Sequence, residues 1–466
     1  MARSFSRRLL LTAAGSGALA NAAILRQVQA AETGKLALIA ERRVIEVNRK
    51  PAEVFGLRQP NGESGLVLAP GQRFAVSVAN RCGEDTIVHW HGQTPPPDQD
   101  GVTDTGYATP IPAAGNQSYD FAPRTGTHWM HSHHGLQEQA LMAAPLIVRT
   151  ADDLRMDAQE VVVLLHDFSF QTPAEVFATV TKGMAMAHGG SHAGHAMPMQ
   201  DLNDFEYDAY LANDRTLADP LVVRTERGGR VRLRLINGAT GTAFWIDLGT
   251  LSGQVIAVDG NAVVPISGQM FPIAQGQRLD IVVNLPTAGA FPILALREGD
   301  RQRTGFILAT PGAAIAKLAD LASAKAAAVD MSLEQKLVAA APLAIRPADV
   351  SHRVVLNGTM MPYSWVIDDR VWDNRRSLGV AKGQRVALEM VNRSPMAHPM
   401  HLHGHHFQVT AINGKAVSGA MRDTVLVPVN GAVTVAFDTD NPGRWLFHCH
   451  NLFHMARGMM TELTYG

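Results

Sequence analysis

Three stretches of this chain read alike, and what differs between them decides what the chain can become. They are PGQRFAVSVAN ending at Asn80, RGGRVRLRLIN ending at Asn237 and KGQRVALEMVN ending at Asn392. Each is a turn running into an alternating strand. In each copy a later strand follows a glycine turn, at Gly126, Gly289 and Gly443. Nine and eleven residues after Asn80 stand His89 and His91, and the same offsets from Asn392 give His401 and His403. From Asn237 they give Ile246 and Leu248. Five and seven residues after Gly126 stand His131 and His133, and after Gly443, His448 and His450. After Gly289 the same count gives Leu294 and Leu296. Side chains at i and i+2 share one face of a strand. The outer copies therefore present eight imidazoles where the middle copy presents an aliphatic core.

This repetition predicts an all-β chain of three β-sandwich domains with Greek-key connections, over residues 35–150, 159–312 and 350–466. The Ala-rich segment 313–349 is expected to be a partly helical linker, with Ile315, Leu318 and Ala322 on one face. The middle domain is read as a spacer that sets the docking of the other two. A formal charge of -1 argues against a nucleic-acid or anionic-membrane partner. The N-terminus, with Arg7-Arg8 before a weakly apolar run and a small-residue site at Val28-Gln29-Ala30, reads as a twin-arginine export signal over residues 1–30. The expected location is the periplasm. No other apolar run is long enough to span a membrane, so the mature protein is expected to be soluble, in an oligomeric state the sequence does not give.

An exported protein ordinarily pairs its cysteines. This one has only Cys82 and Cys449, and Cys449 lies between His448 and His450. The expectation is a metal thiolate at Cys449 and a buried free thiol at Cys82. Imidazoles alone do not choose a metal. His398, Cys449, His454 and Met459 do, because a His₂Cys set with a weak thioether suits copper, whereas zinc takes four firm ligands. Strand parity turns Cys449 to one face and its neighbouring histidines to the other. A short covalent path thus joins a mononuclear site to a polynuclear one.

His89-Trp-His91-Gly, His131-Ser-His133, His398-Pro-Met-His401-Leu-His403 and His448-Cys-His450 with His454 and Met459 together resemble the four copper motifs of the multicopper oxidases. The resemblance covers the whole mature chain and implies three cupredoxin domains and four copper ions. It places a type 1 copper on His398, Cys449, His454 and Met459, and a type 2 copper on His89 and His401. The type 3 pair falls to His91, His131, His133, His403, His448 and His450. It implies that a small reductant gives up electrons singly at the first site, and that four of them reduce dioxygen to two waters at the cluster. Asp100 matches the family's carboxylate near the type 2 copper and is expected to relay protons, although an Asp before Gly also suits a turn. Many relatives place a Glu directly after the second type 1 histidine, where this chain has Met455, so a second acid near the type 3 pair is in doubt.

The reductant is suggested by residues 184–199, which hold Met184, Met186, His188, His192, His195, Met197 and Met199 and almost nothing that could form a core. Thioethers and imidazoles suit Cu(I). The segment resembles the Met-rich inserts of cuprous and copper-resistance oxidases, and a loop of biased composition is the plain alternative. Met396 resembles a substrate-copper ligand, but the acid that accompanies it in some relatives is Ser394 here. Asp423 is read either as orienting a type 1 histidine or as a turn cap, and His405 equally as a surface residue or a ligand. His128, His134, His166 and His352 are read as structural. The sequence thus favours a periplasmic oxidase of Cu(I) serving copper tolerance. Laccase-like oxidation of phenols or aromatic amines is the second reading. A metal-free scaffold of the same fold and a copper store are the non-enzymatic ones.

Overall fold

A computed structural model describes residues 36–182, 202–286 and 288–466. Residues 1–30, read as an export signal, and residues 184–199 of the Met- and His-rich stretch lie outside the described residues.

Among the described residues the strands form six sheets, paired as three sandwiches. In the first, the sheet containing Leu36–Val47 and Phe74–Arg81 faces one containing Val88–His89, Gly126–Ser132 and Ala143–Val148. The middle sandwich pairs a six-stranded sheet around Arg230–Asn237 with a five-stranded sheet around Ala290–Arg297. The third pairs the sheet around Arg385–Asn392 with one in which Arg444–Cys449 lies between Met460–Tyr465 and His398–Leu402. The repeated segment opens a core strand in each domain, as its alternation requires. Phe74, Val76 and Val78 are buried, as are Val231, Leu233 and Leu235, and Val386, Leu388 and Met390. No helix among the described residues is long and apolar enough to cross a membrane.

Two expectations fail. The count that equates Leu294 and Leu296 with the outer histidine pairs slips by one residue. His89 pairs with His131 and His401 with His448, but Ile246 pairs with Ala295. Because strand faces alternate, that slip leaves Leu294 and Leu296 half-buried while Ile293 and Ala295 take the core. The linker, moreover, contains no helix. Its backbone is used in tertiary hydrogen bonds: Arg303 N–H and Ala322 N–H bond to Asp320 O and Arg301 O, and the Arg303 and Arg301 side chains donate to Ala319 O and Ala322 O. Alanine's helical propensity is worth a few tenths of a kcal/mol per residue, less than the ~1 kcal/mol of one such bond, so tertiary contacts override it. Ile315 is accordingly exposed.

Candidate metal centre

Cys449 ends the strand Arg444–Cys449, and the five-residue helix Leu452–Ala456 follows it. Asn451 caps that helix, its side chain accepting from Phe453 N–H and His454 N–H. The cap folds His454 back beside Cys449, and His398 begins the adjacent strand. The Sγ atom lies 3.6 Å from Nδ1 of both His398 and His454. Met459 is fully buried, its N–H donating to His454 O and its O accepting from Cys449 N–H at 3.1 Å. Trp365 stacks on His454 at 4.0 Å and seals the site.

The eight paired histidines meet where the first and third domains dock. Ring centroids approach across that boundary to 3.9 Å for His89 and His403 and 3.8 Å for His91 and His401. His133 lies 5.5 Å from His448 and His131 lies 5.3 Å from His450. Six of the eight rings anchor one nitrogen in the protein. His89, His401 and His448 donate from Nδ1 to the carbonyls of Asp100, Asp423 and Cys449 at 2.8, 2.9 and 2.9 Å. His403 Nδ1 donates to Asp100 Oδ2 at 2.8 Å, and His131 Nδ1 to Ser132 O at 3.1 Å. His91 Nε2 donates to Asp423 Oδ1 at 3.1 Å.

The other nitrogens point inward. Nε2 of His89, His131, His133, His401 and His450, and Nδ1 of His91, are buried with no hydrogen-bond partner. Nε2 of His403 and of His448 face each other at 3.0 Å, although the outer bonds leave a lone pair on both. Around Cys449 the same holds: His398 Nε2 bonds to Ser394 Oγ and His454 Nε2 to Asp204 Oδ1, so two Nδ1 lone pairs meet at 3.1 Å. Facing lone pairs and orphaned buried acceptors repel or cost desolvation unless a cation lies between them. The donor set therefore fits metal ions in both places. Burial pushes the rings of His91, His131, His133, His398, His401, His403 and His448 well below the ordinary histidine range, and that of His450 down to about 3, so they are neutral ligands. Burial pushes the Cys449 thiol up, and a soft cation would be needed to hold it as thiolate. Cys82 is a buried free thiol as expected.

Against known proteins, three family profiles, each described as multicopper oxidase, match residues 54–153, 160–313 and 345–466. The chain belongs to the multicopper oxidase family. This multicopper oxidase is 32% identical to multicopper oxidase MmcO of Mycobacterium tuberculosis, over 85% of this chain and 80% of that protein. It is 25% identical to a copper resistance protein A homolog of Pseudomonas syringae pv. tomato, over 84% of this chain and 86% of that one. Its fold matches the laccase of Botrytis aclada with a TM-score of 0.74 and 22% identity, covering 92% of this chain and 87% of that one. The expected fold of three cupredoxin-like sandwiches is therefore met.

Several placements differ from the sequence reading of this oxidase. Asp423 touches neither His398 nor His454. It precedes Thr424, which pairs with His401 across the sheet, so its carboxylate meets His91 and its carbonyl meets His401. Burial would raise its pKa, but the guanidinium of Arg278 holds the carboxyl far below the usual range. His405 is neither exposed nor orphaned; it bonds to His403 O and to the Tyr465 hydroxyl. His128, read as structural, lies within 3.4 Å of Arg278. Met396 is buried and lines a small cavity with Gln275 and Glu298.

Sequence reasoning missed three carboxylates. Asp204 bonds to His454, to the Tyr363 hydroxyl and to Asn451, and against the cost of burial these contacts keep it below the usual carboxylate range. Glu138 is buried against His131, and burial pushes it up to about 7. Asp104 lies 3.9 Å from His133 in an open cleft of about 510 Å³ that Met455 and Met460 also line. The lack of an acid at Met455 is thus accompanied by two acids elsewhere beside the cluster. The only sequence signal for Glu138 was its nearness to the second histidine pair.

Proposed function

We propose that this multicopper oxidase is an exported, periplasmic oxidase of Cu(I) that contributes to copper tolerance. One type 1 copper would be held by His398, Cys449, His454 and Met459, and a type 2 copper by His89 and His401. A type 3 pair would be held by His91, His131, His133, His403, His448 and His450. The observation that carries this assignment is the convergence of anchored rings with their free lone pairs inward. Copper, when bound, supplies one-electron transfer and the four-electron reduction of dioxygen with four protons to two waters. The chain supplies the rest. Cys449 stands between His448 and His450 in the chain, which gives the shortest covalent path between the two places. Asp100 holds His89 and His403, and its Oδ1 atom, buried and without a hydrogen-bond partner, is the proton-relay position we assign.

The choice of Cu(I) rests on the seven Met and His side chains between residues 184 and 199 and on what stands at either end of that stretch. Before it, Phe177 of the helix Pro173–Thr181 stacks on Phe453, next to His454. After it, Asp204 bonds to His454 itself. Both flanks therefore meet at the type 1 site. Laccase-like oxidation of phenols is the second reading, favoured by the fold match to a laccase. Dioxygen uptake with Cu(I) and with a phenol, for the intact protein and one lacking residues 184–199, tests the choice. Cu(I) turnover should fall at least ~10-fold on deletion while phenol turnover holds. Unchanged Cu(I) oxidation would reject the copper-capture role. The export route is tested by whether replacing Arg7 and Arg8 with lysine stops the chain reaching the periplasm.

A further inference from the structure

We propose that Arg278, carried by the middle domain, is a positioning residue for the histidine cluster: its guanidinium fork fixes the Asp423 carboxylate and, through it, the rings of His91 and His401. The inference rests on the reading that the eight histidines hold copper.

The fork is complete. Nη1 donates to Asp423 Oδ1 at 2.7 Å and Nη2 to Asp423 Oδ2 at 2.5 Å. Nε donates to Thr127 O of the first domain at 3.1 Å, and Nη1 also to Gly276 O at 3.0 Å. One side chain of the middle domain therefore holds backbone of the first and a carboxylate of the third. Arg278 and Asp423 are both fully buried. Removing the fork would leave a buried carboxylate short of its main partner.

Asp423 in turn decides how His91 meets a metal. His91 presents Nδ1 to the cluster, whereas the other orphaned cluster rings present Nε2. Its bond from Nε2 to Asp423 Oδ1 fixes that tautomer and ring angle. The Asp423 carbonyl does the same for His401.

Two glycines make room for the arrangement. Gly92, directly after His91, has φ +85, and a Cβ there would collide with the Arg278 guanidinium, the His128 ring and the Asp423 carboxylate. Gly276, with φ +79, lets the turn before Arg278 close on the cluster itself. A Cβ there would stand 2.9 Å from His450 Cδ2 and 3.2 Å from His91 Cε1. The middle domain thus forms part of the wall around the histidines, a closer role than that of a spacer. Another of its buried arginines, Arg234, pairs with Glu160 and Asp280, neither of which bonds to a cluster ring.

The test uses the full-length, copper-loaded protein with Arg278→Lys, Arg278→Gln, Asp423→Asn and, as control, Arg234→Lys. Copper content, the electron paramagnetic resonance of the copper not bound by Cys449, and copper release to a chelator are measured beside the Cys449 thiolate absorption. Lysine cannot reproduce the fork, so both Arg278 variants should release cluster copper ~10–100-fold faster with the thiolate band intact. Arg234→Lys should behave as wild type in all three. Wild-type release and resonance in the Arg278 variants would overturn the proposal. Loss of the thiolate band in step with cluster copper marks general loss of fold. Should the Arg278 variants fail to fold, Asp423→Asn decides, because it breaks the ion pair but keeps an acceptor for His91; unchanged resonance and release there overturn the proposal. A wild type with no copper at these histidines would overturn the copper reading itself, and is told apart by the wild-type copper content.

Discussion

Glu138 places its Oε2 atom 2.8 Å from Nδ1 of His131, while its other oxygen is buried with no hydrogen-bond partner. Carboxylate, imidazole and metal in series are a common way to fix a ligand ring and strengthen its free nitrogen. Glu138→Ala would leave His131 Nδ1 only the Ser132 carbonyl. Cluster copper should then be released ~10-fold faster or more, measured by transfer to a chelator, with the Cys449 absorption unchanged. Glu138→Gln keeps an oxygen at the same place and should recover most of the loss. Equal release from Ala, Gln and wild type would remove Glu138 from the site.

Asp204 stands where electrons would enter. It bonds to the outer nitrogen of His454, and the ring's other nitrogen faces Cys449. In Asp204→Asn the shape remains but the negative charge beside an incoming cation is lost. Steady-state oxidation of Cu(I) should show KM raised by ~10-fold with copper content retained, because the charge attracts a cationic donor more than a neutral phenol. A proportionate change for both donors would instead assign Asp204 to holding His454.

Local periodicity made much of this legible. The histidine pairs and the Cys449 face could be read because strand side chains alternate, and the spacing to His454 and Met459 needs only one short turn. Leu294 and Leu296 could not be placed, since one residue of slip in a glycine turn changes the face. The linker misled because alanine propensity is weaker than the hydrogen bonds that Arg301 and Arg303 make to its backbone. Arg278 and Asp204 reach Asp423 and His454 across domain boundaries. Contacts between residues so far apart in sequence leave no spacing to count.

Cys449→Ser tests the electron path. The serine hydroxyl is a poor ligand for a soft metal, and without the thiolate His398 and His454 would face each other with two lone pairs only. The visible absorption from thiolate-to-copper charge transfer should vanish and one copper per chain should be lost. The cluster should keep its copper, because its rings are anchored by Asp100, Asp423 and backbone carbonyls independently of Sγ. Turnover should fall to background with every donor. A serine variant that still consumed dioxygen with the same donor would refute the path.

Glu298, at the cavity that holds Met396, gives a test of stability that does not depend on turnover. Burial pushes its carboxyl up to about 8 from an ordinary 4.5, against the lowering effect of the Val329 N–H it accepts and of Arg297. The folded chain therefore keeps a proton that the unfolded chain releases. Stability from this group is fully present below about pH 4.5, falls as pH rises through the window to about 8, and levels off above it. Glu298→Gln removes the titration and leaves an oxygen to accept from Val329. Thermal unfolding of wild type and variant, followed in acid, neutral and mildly alkaline buffer, should show the variant gaining on wild type as pH rises, by several degrees between acid and mildly alkaline buffer. The Cys449 absorption should be the same in both proteins at each pH, so that the change belongs to the fold. Parallel melting curves across the whole range would mean that Glu298 carries the same charge folded and unfolded.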